Sequence, residues 1–135
     1  MRDLTGQVVA ITGATAGIGA ATAKALVAQG AKVALGARRT GRLEEMVSAL
    51  DGAAVAVEMD VRDPDGSRRL IDKAVSTFGT LDAVVANAGI GAYGGIMDLT
   101  DEKLAEMMDI NVAGTVWPIR AAAVSYTHLR AHETA

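Results

Sequence analysis

The chain has 135 residues, half of them apolar and only 3% aromatic, with a net charge of −3 and no cysteine. That length suits one domain with a sizeable core and is too short for two. The mild charge gives no electrostatic case for nucleic acid or an anionic membrane as partner, and the lack of cysteine excludes disulfides and thiolate metal sites. Met1–Gln7 carries no signal-type apolar stretch, and no apolar run approaches the roughly 18 residues of a membrane span. The expectation is a cytoplasmic α/β chain with no membrane partner and no metal. Its small, branched apolar residues suit parallel strands covered by helices.

In chain order, Gln7–Ile11 reads as a strand buried on both faces, and Gly17–Gln29 as a helix closed by Gly30. Lys32–Ala37 is a second strand, and Thr40–Leu50 a helix with Leu43, Met46, Val47 and Leu50 at helical spacing. Asp51-Gly52 is a turn and Ala53–Met59 a third strand, ending at Asp60. Asp63-Pro64 starts the next helix, with proline at a first-turn position that tolerates it, and Gly79 ends it. Leu81–Ala86 is a fourth strand, and Asn87–Gly95 a glycine-rich loop. From Thr100, a capping-box-like start, one helix runs through Ile119, with Pro118 expected to kink or interrupt it. Strands alternating with helices imply βαβ units with right-handed crossovers and a parallel sheet.

Gly13, Gly17 and Gly19 lie between the first strand and its helix, the context in which a glycine-rich loop becomes evidence for nucleotide binding. Such a loop lets backbone approach a phosphate, and the helix behind it offers unpaired N–H groups and the positive end of its dipole. Tight helix–strand packing would also select these glycines. The spacing Thr12-Gly13-x-x-x-Gly17-Ile18-Gly19 differs from the two-residue spacing of the usual dinucleotide fingerprint. It resembles the short-chain dehydrogenase/reductase family.

Three further motifs carry the same resemblance in the same order: Asp60-Val61 after the third strand, Asn87-Ala88-Gly89 after the fourth, and Asn111-Val112 in the last helix. The resemblance implies a Rossmann-type doubly wound parallel sheet of strand order 3-2-1-4. It places Gly13, Thr15, Ala16, Gly17, Ile18 and Gly19 on the cofactor's phosphates, Asp60 and Val61 against the adenine, and Asn87, Ala88 and Gly89 along the cofactor cleft. Asn111 corresponds to the member of the family's catalytic tetrad that helps hold a water and the active-site lysine. Taken singly, Asp60 also reads as a plain strand-end carboxylate and Asn87 as a turn residue. Asn111 is mildly unfavourable inside a helix, which favours a side-chain task.

Charge argues the cofactor type. In this fold an acid after the second strand binds the NAD ribose, whereas arginine accommodates the 2′-phosphate of NADP. Here Ala37 fills that slot and Arg38 and Arg39 follow. A guanidinium suits a phosphate through bidentate, charge-assisted contacts. NADP(H) is therefore expected over NAD(H), with Arg38 the main contact and Arg39 stacking on adenine; the alternative is a solvated basic turn. Tyr93 reads as loop packing or a substrate contact, and Trp117, Met107 and Met108 as core or subunit-contact residues.

The family's reaction, hydride transfer between nicotinamide and a small carbonyl or alcohol, needs a Ser and a Tyr-x-x-x-Lys pair, the lysine lowering the tyrosine pKa. Tyr126–Arg130 offers Tyr-x-x-x-Arg, but it begins 15 residues after Asn111, before the family's next strand. Val124–Thr134 resembles a translated sequencing-library adapter, so residues 1–123 are read as an incomplete NAD(P)-binding domain and 124–135 as a non-native tail. His128 and His132 share an i, i+4 spacing but lack a third ligand. The expectation is an inactive fragment of a homo-oligomeric oxidoreductase, with a naturally short, non-catalytic dinucleotide-binding module as the alternative.

Overall fold

In the computed structural model, backbone is described for residues 2–134 and side chains for residues 2–127. Four parallel strands form one sheet: β1 (Val8–Thr12), β2 (Lys32–Ala37), β3 (Ala54–Glu58) and β4 (Ala83–Val85), in the order β3-β2-β1-β4. Helices α1 (Gly17–Ala28), α2 (Thr40–Ala49) and α3 (Pro64–Phe78) connect them. After β4 come a 3-10 turn (Ile96–Asp98), α4 (Asp101–Met107), a π-helical turn (Met108–Ala113) and α5 (Gly114–Thr134).

The unbroken apolar runs of β1 and β2 serve two cores at once because side chains alternate faces along a strand. Val8 and Ala10 pack with Leu70, Ile71 and Ala74 of α3, whereas Val9 and Ile11 pack with Ala23 of α1 and Leu43 and Met46 of α2. A sheet covered on both faces is the doubly wound arrangement expected from the sequence. Helix punctuation follows the expected residues. Asp63 accepts a hydrogen bond from the Asp65 N–H at 2.9 Å, Pro64 is the first helical residue of α3, and Gly79 closes that helix at φ +84°. Thr100 Oγ1 likewise accepts from the Lys103 N–H at 3.1 Å.

Two expectations need correction. β4 spans three residues rather than six. At its N-terminal side the Asp82 carboxylate accepts the Val8 N–H at 2.7 Å, while the Asp82 N–H donates to the Val8 carbonyl at 2.9 Å. A side chain thus occupies the donor that a longer ladder would use. Pro118 does not interrupt the last helix: it is fully buried within α5. The wider π turn that ends at Ala113, one turn earlier, is the kind of helix irregularity that accommodates a missing N–H and a bulky ring.

Ser67 on α3 is fully buried and its hydroxyl has no hydrogen-bond partner among the described residues. Desolvating a hydroxyl without a partner costs free energy. Ser67→Ala should therefore raise stability by about 1 kcal/mol, read as a higher urea midpoint with an unchanged denaturant slope.

A candidate dinucleotide cleft

A cleft of about 570 Å³ opens at the C-terminal ends of the strands, lined by the β1–α1 loop, the end of β2, Met59–Val61 after β3, and Asn87–Ile90 after β4. In a doubly wound sheet this is where the connections diverge to opposite faces and leave a crevice.

The three loop glycines do different work. Gly13 has φ +63°, and a Cβ there would lie 2.8 Å from the Ala88 Cα, so β1 and the loop after β4 approach backbone to backbone. A Cβ on Gly19 would sit 2.6 Å from Asn87 Nδ2 and closer still to the Gly13 carbonyl oxygen. Gly17 has φ +51° with open space where its Cβ would project. Packing thus accounts for Gly13 and Gly19, whereas only the backbone turn demands glycine at Gly17. No side chain caps the N-terminus of α1, where Ala16 is the N-cap. Its first N–H groups have no helical partner and lie beside the cleft.

The two sides of the cleft are tied together by Thr12 and Asn87. Thr12 is buried, and its Oγ1 accepts from the backbone N–H groups of Asn87 (3.1 Å) and Ala88 (3.2 Å). Asn87 Nδ2 donates to the Gly13 carbonyl at 3.1 Å. Asn87 is therefore a cross-link between adjacent strand ends rather than a turn residue alone.

Asn111 sits in the π turn, outside the cleft lining. Its Oδ1 accepts the Ile90 N–H and its Nδ2 donates to the Ile90 carbonyl, both at 2.8 Å. This two-point clamp fixes the loop leaving β4. The Asn111 carbonyl accepts the Thr115 hydroxyl at 2.8 Å.

Arg38 and Arg39 are exposed at the mouth, beyond the end of β2, and line the cleft together with Asp60. The Met59 N–H donates to the Ala37 carbonyl at 2.9 Å, which brings Asp60 alongside the two arginines. Both Asp60 oxygens are bound by Arg62: Nη2 at 2.6 Å, Nε at 3.1 Å to each, and the Arg62 N–H at 3.0 Å to Oδ1. This hydrogen bonding holds the Asp60 carboxyl below the usual carboxylate range against the opposing effect of burial, with the Arg38 charge contributing in the same direction. The pairing contributes to stability above the ordinary carboxylate pKa, and that contribution fades as pH falls through the lower folded value.

Gly13, Thr15, Ala16, Gly17, Arg38, Arg39, Asp60, Val61, Asn87, Ala88 and Gly89 thus line one cleft. Of the other expected site residues, Ile18 is exposed, Gly19 packs behind the loop, and Asn111 acts through Ile90. Sequence reasoning gave Thr12 no role beyond opening the loop motif, and did not single out Arg62. A threonine ending an apolar strand offers little local sign of its role, whereas an arginine two residues after a strand-end aspartate was a readable one.

Tyr93, expected as loop packing or a substrate contact, is fully exposed. Trp117 is half-buried, with the Arg120 guanidinium 4.4 Å from its ring centre. Tyr126 lines a groove with Leu81, Asp82, Ala83 and Val84, at the end of β4 away from Asn87. The side chains of His128 and His132 lie outside the described residues. No helix among the described residues is long and apolar enough to cross a membrane.

The family model described as short chain dehydrogenase matches residues 7–131. The chain is 40% identical over 121 residues to cis-2,3-dihydrobiphenyl-2,3-diol dehydrogenase of Rhodococcus globerulus, covering 86% of this chain and 43% of that protein. Among solved structures, a short-chain type dehydrogenase/reductase from Mycobacterium marinum aligns with a TM-score of 0.83 at 35% identity, covering 90% of this chain and 50% of the other. A 3-ketoacyl-(acyl-carrier-protein) reductase from Brucella melitensis, solved with NADH, aligns with the same TM-score at 32% identity, covering 87% and 48%. The chain spans about half the length, or less, of the curated relatives it matches.

Proposed function

The chain belongs to the short-chain dehydrogenase family, and from that premise we propose that its cleft is the cofactor site of an NADP(H)-dependent oxidoreductase acting on a small carbonyl or alcohol. The observation that carries this reading is the convergence of three sequence-separated motifs and the Arg38-Arg39 pair on one crevice beside an uncapped helix N-terminus. The residues present fit the group. Gly17 leaves room for a phosphate where the first α1 N–H groups are free, and Arg38 stands where a 2′-phosphate would need a cation. When bound, the dinucleotide supplies or accepts hydride. The chain's own residues bind and orient it: the loop backbone takes the pyrophosphate, Asn87 and Thr12 hold the cleft walls together, and Asn111 fixes the path of Ile90.

Cofactor preference rests on Arg38 and on the absence of an acid at Ala37. Titration of the protein with both reduced dinucleotides should give tighter NADPH than NADH binding. Arg38→Ala should weaken NADPH by roughly 10–100-fold, the worth of a charge-assisted hydrogen bond, and leave NADH within about threefold. Tighter NADH binding by the parent protein would overturn the preference.

A dinucleotide-binding module without turnover of its own is the second reading. It is favoured by the position of Tyr126 beside the opposite end of β4, where it cannot serve a substrate at the cleft. On either reading, the chain is expected to bind cofactor without robust turnover, and the described residues 124–127 take no part in the cleft. Resequencing the gene through that junction tests the tail.

A further inference from the structure

Asp60 is the only acid lining the cleft among the described residues, and it lies beside Arg38, where the proposed function puts a 2′-phosphate. A free carboxylate there would repel that phosphate and compete for the guanidinium. Asp60 is not free: Arg62 binds both of its oxygens while remaining outside the cleft lining. The pair is part-exposed, with 45% of the Arg62 side chain and 32% of the Asp60 side chain accessible, and the two residues are only two apart. Exposed pairs of this kind contribute little to folding. Their consequence is local, in the field at the mouth of the cleft. Glu106, itself paired with Lys103, and Asp109 add further negative charge around Arg62.

We propose that Arg62 is a positioning residue for cofactor choice: by clamping the Asp60 carboxylate it removes the negative charge opposing a 2′-phosphate at Arg38. Arg62 makes no contact with cofactor and acts through Asp60. The inference rests on the dinucleotide reading of the cleft and deepens it. Arg62→Gln therefore unmasks a repulsive carboxylate, whereas Asp60→Asn with Arg62→Gln removes the repulsion and its cure together.

The test compares the Kd values of 2′,5′-ADP and 5′-AMP, and of NADPH and NADH, for the parent chain, Arg62→Gln, Arg62→Lys, and the double variant, with circular dichroism melts in parallel. Arg62→Gln should lower the preference for the 2′-phosphorylated ligand about tenfold, on the scale of one unit charge acting across several ångströms. Arg62→Lys should keep most of the preference and the double variant should restore it, with melting curves shifted only slightly. An unaltered ratio in Arg62→Gln, or no restoration in the double variant, overturns the role of Arg62 while leaving the dinucleotide site standing. Failure of the parent chain to bind any of the four ligands overturns both.

Discussion

Gly19→Ala should cost roughly 2–4 kcal/mol of folding stability, as expected for overpacking with no free space, and should weaken dinucleotide binding in parallel. The added methyl would overlap the Gly13 carbonyl oxygen and lie 2.6 Å from Asn87 Nδ2. Neither neighbour is a flexible side-chain end: one is backbone, and the other is tied to that same carbonyl. Relief requires α1 to move off β1, which displaces the first-turn N–H groups from the cleft. Gly17→Ala provides the contrast. Its methyl meets open space, so its penalty is the left-handed backbone alone, about 1 kcal/mol. Urea unfolding of both variants separates the cases, and equal penalties would refute the division of labour between the two glycines.

Thr12→Val is the second large effect. Valine keeps the branched shape but deletes the oxygen that accepts the Asn87 and Ala88 N–H groups. Each partly buried donor left without a partner costs roughly 1–3 kcal/mol, so a loss of about 2–4 kcal/mol is expected. Thr12→Ser retains the acceptor and should recover most of it. Amide hydrogen exchange at Asn87 and Ala88 reads the same change locally. Faster exchange in Thr12→Val, with rates near the parent in Thr12→Ser, is the expected pattern. Unchanged exchange in Thr12→Val would show that another acceptor serves these amides.

Thr12 also marks where sequence ceases to be legible. β2 was readable to the residue, because after Lys32 the buried run Val33–Ala37 is unbroken until the two arginines that end it. α3 was readable because Asp63, Pro64 and Gly79 each act on their own backbone. Strand order and the grouping of the cleft residues followed from motif order. What escaped depends on partners distant in the chain. Asp82 looks like a residue within a strand until Val8, 74 positions earlier, is found donating to it. Thr12 serves amides 75 and 76 positions away. Pro118 reads by local rules as a kink or an interruption, and only the fold shows the helix running on through it with the ring buried. For Asn111 the expectation of a side-chain task was sound, but the partner is the Ile90 backbone.

The π turn at Met108–Ala113 governs the azimuth of everything that follows. Each residue of an α-helix advances the direction of its side chain by about 100°, and a π turn winds less per residue, so it takes up one extra residue without turning the helix that follows. Rewinding these six residues as regular α-helix would rotate α5 about its own axis by roughly one residue's advance. Pro118 would turn out of its buried position, and Ala121 and Ala122 would swing away from the core they pack against. Ile110 and Asn111, within the turn, would lose their simultaneous reach to the core and to Ile90. Rewinding this turn with all its residues kept is therefore a change of orientation for a whole helix, whereas substitutions at its exposed positions Met108, Asp109 and Val112 leave that orientation in place.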